Sequence, residues 1–152
     1  MNTHFVTKRL AHMLGCAGLI PFVLLALASW LAHPDWLGVF IKAQLAYGVL
    51  TFAFVGGIHW GAALASGHLS AEQTKRVFGW SVVPPLLAWF ATMVGGFGFA
   101  VLMVGFVAAY HVDKRLYAWY RMPEWAIRLR FVLTCAAVAA IALTVAAANV
   151  RG

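Results

Sequence analysis

Few side chains in this sequence could carry chemistry, and nearly all of them lie inside or at the edge of apolar runs. His59 stands in VGGIHWGAALA (55–65), next to Trp60 and among Gly56, Gly57 and Gly61. Trp80 and Ser81 open WSVVPPLLAW (80–89), and His111 and Asp113 fall in YHVDKRL (110–116). An ionisable group surrounded by hydrocarbon is costly unless partnered, so it marks a ligand contact, a proton carrier or a hydrogen bond between helices. All three roles are open to His59 from its surroundings alone.

The prolines narrow the choice of partners. Pro84 and Pro85 each remove a backbone donor, which frees the carbonyls of Trp80 and Ser81 and predicts a kink. Those carbonyls are the groups expected to meet the ring of His59. Pro21 predicts a milder kink in the first apolar run. Asp113 is the one acid directly at the end of an apolar run. It is expected to pair with Arg130, or failing that with Arg128, because an unpaired carboxylate beside hydrocarbon is expensive. His59 and His111 in one layer would be a way to hold a haem.

Other chemistry finds little support. There is no HExxH, GxSxG or phosphate-loop pattern. Asp and Glu together number 4, and Asp35, Glu72 and Glu124 read as solvated loop residues. Cys16 and Cys135 are isolated, with no Cys/His spacing for a metal, and read as small apolar residues. No metal site and no catalytic residue is expected. The chain leans away from being an enzyme.

The elements that must position these residues follow from composition. The chain has 152 residues, 64% hydrophobic and 10% charged, with a mean hydropathy of +0.87. Soluble domains are nearer half apolar and a quarter charged. An all-α polytopic membrane protein follows, with a single integral membrane domain over 1–152. Five transmembrane helices are expected in a compact bundle, at about 14–32, 43–65, 77–94, 97–112 and 127–148. Each approaches the ~20 apolar residues that cross the hydrocarbon core. The segments 66–76 and 112–130 read as polar connections, the second with an interfacial character from Tyr117, Trp119, Tyr120 and Trp125. GGFG (95–98) turns one span into the next, as antiparallel neighbours.

Helical phase divides the second span. At 100° per residue Gly48, Phe52, Gly56 and Ala63 fall on the face of His59, and Gly57 and Gly61 on the other. Small residues let helices approach closely in lipid, so both faces are expected to meet neighbours.

Charge sets the direction. Lys8, Arg9, Lys75, Arg76, Lys114, Arg115, Arg121, Arg128 and Arg130 fall on one side and Lys42 and Arg151 on the other. The positive-inside rule then puts the N-terminus in the cytoplasm and the C-terminus outside. The formal net charge of +7 is read as orientation and attraction to anionic lipid on the cytoplasmic face, not as nucleic-acid binding. The basic, apolar N-terminal stretch is read as a retained first span and not a cleaved signal. A bacterial inner membrane is the expected location.

GLIPF (18–22), YGVLTFAFVGGIHWG (47–61), SVVPPLLAW (81–89) and Asp113 with Arg128–Arg130 together resemble one small membrane family. It is a bacterial domain-of-unknown-function family similar to mitochondrial transmembrane protein 69. The resemblance runs over nearly the whole chain and is most specific at Gly-Gly-x-His-Trp-Gly. It implies a five-span helical membrane protein and no established reaction. The leading expectation is a non-enzymatic accessory or scaffold protein that packs against a membrane partner or itself, with no cofactor. The alternatives are a binding protein for haem or quinone, using His59 and the Trp80–Pro85 bend, and a small proton-coupled transporter.

Overall fold

A computed structural model describes residues 3–152, and among them every regular element is helical. Six α-helices follow in order: α1 (Thr3–Leu31), α2 (Leu37–Ala65), α3 (Ala71–Ser81), α4 (Val83–Met93), α5 (Gly98–Trp119) and α6 (Glu124–Arg151). Single 3-10 turns at Pro34–Trp36 and Gly95–Phe97 precede α2 and α5. Four segments are long and apolar enough to cross a membrane: Val6–Leu31, Pro34–Ala65, Gly95–Trp119 and Glu124–Arg151. The chain is thus a multi-pass membrane protein.

The third expected span, 77–94, is divided at Val82 into α3 and α4, of 11 residues each. The prolines are the reason. Pro84 and Pro85 occupy the first turn of α4, where no intrahelical donor is required and the fixed φ suits the start of a helix. The result is a new helix start instead of a kink. Pro21, by contrast, lies within an uninterrupted α1.

Two connections are shorter than the sequence predicts. The polar stretch after Ser70 is helical, because Ser70 and Gln73 form a reciprocal capping box. The Ser70 hydroxyl accepts from the Gln73 N–H at 3.1 Å, and the Gln73 side chain accepts from the Ser70 N–H at 3.0 Å. Likewise α5 runs on to Trp119, well past the expected span end at 112.

The chain divides into two compact units, Met1–Gln44 with Pro123–Gly152, and Leu45–Met122. In the first, α1 packs along α6. His12 stacks against Trp125, Gly15 faces Leu129 and Leu133, and the Trp30 indole N–H donates to the Leu143 carbonyl at 3.0 Å. Arg151 closes the far end by donating to the carbonyls of Ser29 and Ala32, at 2.5 and 2.6 Å. These pairs ascend together along both helices, so α1 and α6 run parallel. Gln44, buried, donates to the Phe22 carbonyl at 3.0 Å.

In the second unit α2 and α5 also run parallel. Leu45 meets Gly98, Phe52 meets Gly105 and Phe106, and His59 meets Asp113. The α3–α4 pair runs the opposite way against α2: Trp60 packs on Phe78, and Gly56 on Ser81 and Pro85. Gly56 is required there. A Cβ would run into the Ser81 carbonyl oxygen and stand 2.6 Å from Pro85 Cδ.

Candidate functional site

The buried face of α2 carries Gly48, Phe52, Gly56, His59 and Ala63. Below His59, the Phe52 ring fills the space left by Gly105 and tilts against Phe106 with centroids 5.1 Å apart. This apolar floor fixes α2 against α5 and holds His59 opposite the last turns of α5.

There the ring meets two partners, Asp113 on α5 and Tyr120 just past its end. Nε2 lies 2.7 Å from Asp113 Oδ1, and Nδ1 lies 2.9 Å from the Tyr120 hydroxyl. His59 and Asp113 are 0% exposed and Tyr120 is 8% exposed. The bonds define the proton positions when the carboxylate is ionised. Nε2–H then donates to Asp113, and bare Nδ1 accepts the Tyr120 O–H. Tyr117 completes the cluster, its ring centroid 6.0 Å from that of His59. The Tyr120 phenol is held above its ordinary value, first by burial, then by the Asp113 carboxylate and by Tyr117.

The end of α5 is shaped to present Tyr120. The Met122 N–H reaches back to the Tyr117 carbonyl and the Arg121 N–H to the Ala118 carbonyl. This closure puts Arg121 at φ 55°, a left-handed conformation usually left to glycine. The α2–α3 loop is tied to the same place by His68, whose Nε2 lies 3.0 Å from the Trp119 carbonyl oxygen.

The other candidate residues lie elsewhere. The freed carbonyls near Trp80 and Ser81 do not meet His59. The Ser81 carbonyl faces Gly56, and the Trp80 carbonyl accepts from the Val82 N–H. The Ser81 hydroxyl donates to the Phe78 carbonyl at 2.7 Å. Trp60 is half-exposed and packs edge-on against Phe78. His111 is exposed and its ring meets Tyr110 edge-on. Gly57 and Gly61 are exposed, with nothing of this chain near where a Cβ would stand. Arg128 pairs with Glu124 at 3.5 Å on an exposed surface, while Arg130 is buried and donates to Thr134.

Tyr120 is the partner that sequence reasoning missed. By composition it belongs with the interfacial aromatics of 112–130. The available signal was periodicity: Asp113, Tyr117 and Tyr120 follow at helical spacing and share one face if α5 continues.

Fold and site together define a multi-pass α-helical membrane protein with a buried, internally bonded His–Asp–Tyr cluster. The chain belongs to the family described as "Protein of unknown function (DUF3429)", whose model matches residues 7–146. It is similar to Transmembrane protein 69 of Xenopus tropicalis, 37% identical over 131 residues, covering 82% of this chain and 49% of the relative. It is also similar to Transmembrane protein 69 of Mus musculus, 30% identical over 137 residues, covering 88% of this chain and 54% of the relative. The chain thus spans about half the length of the curated relatives it matches. No solved structure matches it.

Proposed function

We propose that this protein crosses the membrane five times and serves as a non-enzymatic accessory that packs against a membrane partner or a second copy of itself. Helix direction supports the fifth crossing. Parallel α1 and α6 need an odd number of crossings, and parallel α2 and α5 need one crossing between them. The α3–α4 pair, running against α2, supplies it. Its division at Val82 leaves few unmet backbone groups, since the prolines stand where donors are not needed. The basic residues then gather on one side, which supports a cytoplasmic N-terminus in a bacterial inner membrane with anionic lipid on that face.

The observation that carries the packing role is the outer face of α2. Gly57 and Gly61 form a small-residue groove between exposed Phe54 and Leu64. Such a groove admits the close approach of another helix. Meanwhile His59 spends both ring nitrogens on its own chain, leaving no lone pair for haem iron. Co-purification from native membranes tests the reading. A partner or second copy that is retained by the wild type and lost from Gly57→Leu/Gly61→Leu is the expected result. Isolation of the wild type alone and monomeric would end it.

Quinone or another carbonyl-bearing lipid is the second reading. The Trp80 indole N–H favours it: a buried donor at the α3–α4 break with no hydrogen-bond partner. Solvent extraction of purified protein followed by mass spectrometry tests it, and an extract holding only bulk lipid argues against it.

A further inference from the structure

We propose that His59, Asp113 and Tyr120 form a buried proton-binding site, in which His59 takes up one proton delivered through the Tyr120 hydroxyl. The inference does not rest on the packing role, and either can fail without the other.

The geometry allows uptake with no movement of heavy atoms. With the ring neutral, Nε2–H donates to Asp113 and Nδ1 accepts from Tyr120, at 2.7 and 2.9 Å. In the uptake step the Tyr120 proton passes to Nδ1, forming an N–H bond as the O–H bond breaks. The phenol oxygen takes the incoming proton and becomes the acceptor of Nδ1–H. One proton has entered, the ring is an imidazolium, and its charge faces the Asp113 carboxylate. Release is the reverse. Both heavy-atom distances suit either state, because an imidazolium is a donor at both nitrogens and a hydroxyl serves as donor or acceptor.

The order of burial gives the direction. Tyr120 is the least buried of the three and lies just past the end of α5. His59 and Asp113 have no exposure, so a proton reaches the ring through the phenol. Arg121 holds that entrance in place through its left-handed turn. A low-dielectric surrounding makes the carboxylate an effective countercharge for the imidazolium.

The groups bearing on the ring are few. From α5 and the residue that follows it they are Asp113, Tyr117 and Tyr120, while His111, Lys114 and Arg115 on that helix are exposed. On α3, Glu72, Lys75 and Arg76 are exposed, and α4 has no titratable side chain.

The test is nitrogen NMR of the full chain in lipid nanodiscs, labelled in the histidine rings. Of the 6 histidines, His59 is assigned by loss of its signals in His59→Gln, or by their persistence when the other five are replaced. The expected result is a ring protonated on Nε2 alone at about pH 9 and on both nitrogens at about pH 5. Asp113→Asn should keep the ring neutral across that range, and Tyr120→Phe should slow exchange at Nδ1 by tenfold or more. A wild-type ring that stays neutral from about pH 9 to about pH 5 overturns the proposal. If Asp113→Asn does not fold, the wild-type titration decides alone.

Discussion

The Nε2 of His59 and the Oδ1 of Asp113 meet at 2.7 Å, with no solvent exposure on either residue. The two side chains come from parallel helices, and each satisfies a polar atom that hydrocarbon would leave unpaired. Removing one partner should therefore cost more than removing both. Asp113→Ala or His59→Ala is expected to destabilise by about 3–5 kcal/mol, the range for breaking a buried pair. The double variant His59→Ala/Asp113→Ala should lose less than the sum of the single changes. Thermal unfolding in detergent, read as a double-mutant cycle, checks it, and additive losses would mean the contact is unimportant.

Two adjacent glycines should respond in opposite ways. Gly56→Ala drives a methyl into the Ser81 carbonyl and Pro85, a backbone contact that cannot swing aside. A loss of about 1–3 kcal/mol is expected, as for overpacked cores. Gly57→Ala meets nothing of its own chain and removes glycine entropy from a helix, so it should be neutral or stabilising by up to about 1 kcal/mol. Parallel melting curves of the two variants separate the faces of α2.

Arg121 is expected to be replaceable with gain. At φ 55° its Cβ opposes the backbone, and Arg121→Gly should stabilise by up to about 1 kcal/mol while preserving the His59–Tyr120 bond. A loss of stability would show that the arginine side chain supplies more than the turn costs.

Tyr120 gives a pH dependence with a definite sign. Its folded-state value lies above the unfolded one, so its contribution is complete below about pH 10, the ordinary phenol value, and lost as pH rises beyond it. Tyr120→Phe should flatten the alkaline loss of stability above about pH 10. An unchanged alkaline limb would contradict the assignment.

Arg151 caps α1 from a neighbouring helix. Arg151→Ala should cost about 1–2 kcal/mol, since its two charge-assisted bonds lie in a partly exposed site. Arg151→Lys should recover only part of that, because an ammonium lacks the fork that spans Ser29 and Ala32.

The readability of these features from sequence depended on their range. Helical phase sorted α2 well: the face assigned to Gly48, Phe52, Gly56, His59 and Ala63 is the buried one. Local chemistry misled where two signals competed. Polar composition over 71–76 read as loop, yet the Ser70–Gln73 box starts a helix there. The end of the apolar run at 112 read as a helix end, yet α5 continues through charged residues to Trp119. That extension hid Tyr120, and without Tyr120 the ring of His59 was matched to carbonyls near Trp80 instead of to α5. Hydropathy also could not distinguish one span from two short helices across Pro84 and Pro85.

The measurement that bears most directly on this account is the side of the membrane reached before and after the α3–α4 pair. Single cysteines at Ser70 and at Gly96, in a chain with Cys16 and Cys135 replaced by alanine, can be labelled in right-side-out vesicles with a reagent that does not cross lipid. Five crossings predict that Gly96 labels in intact vesicles and that Ser70, on the inside, labels only once they are permeabilised. Labelling of both from the same face would show that α3 and α4 do not cross, and would contradict the account.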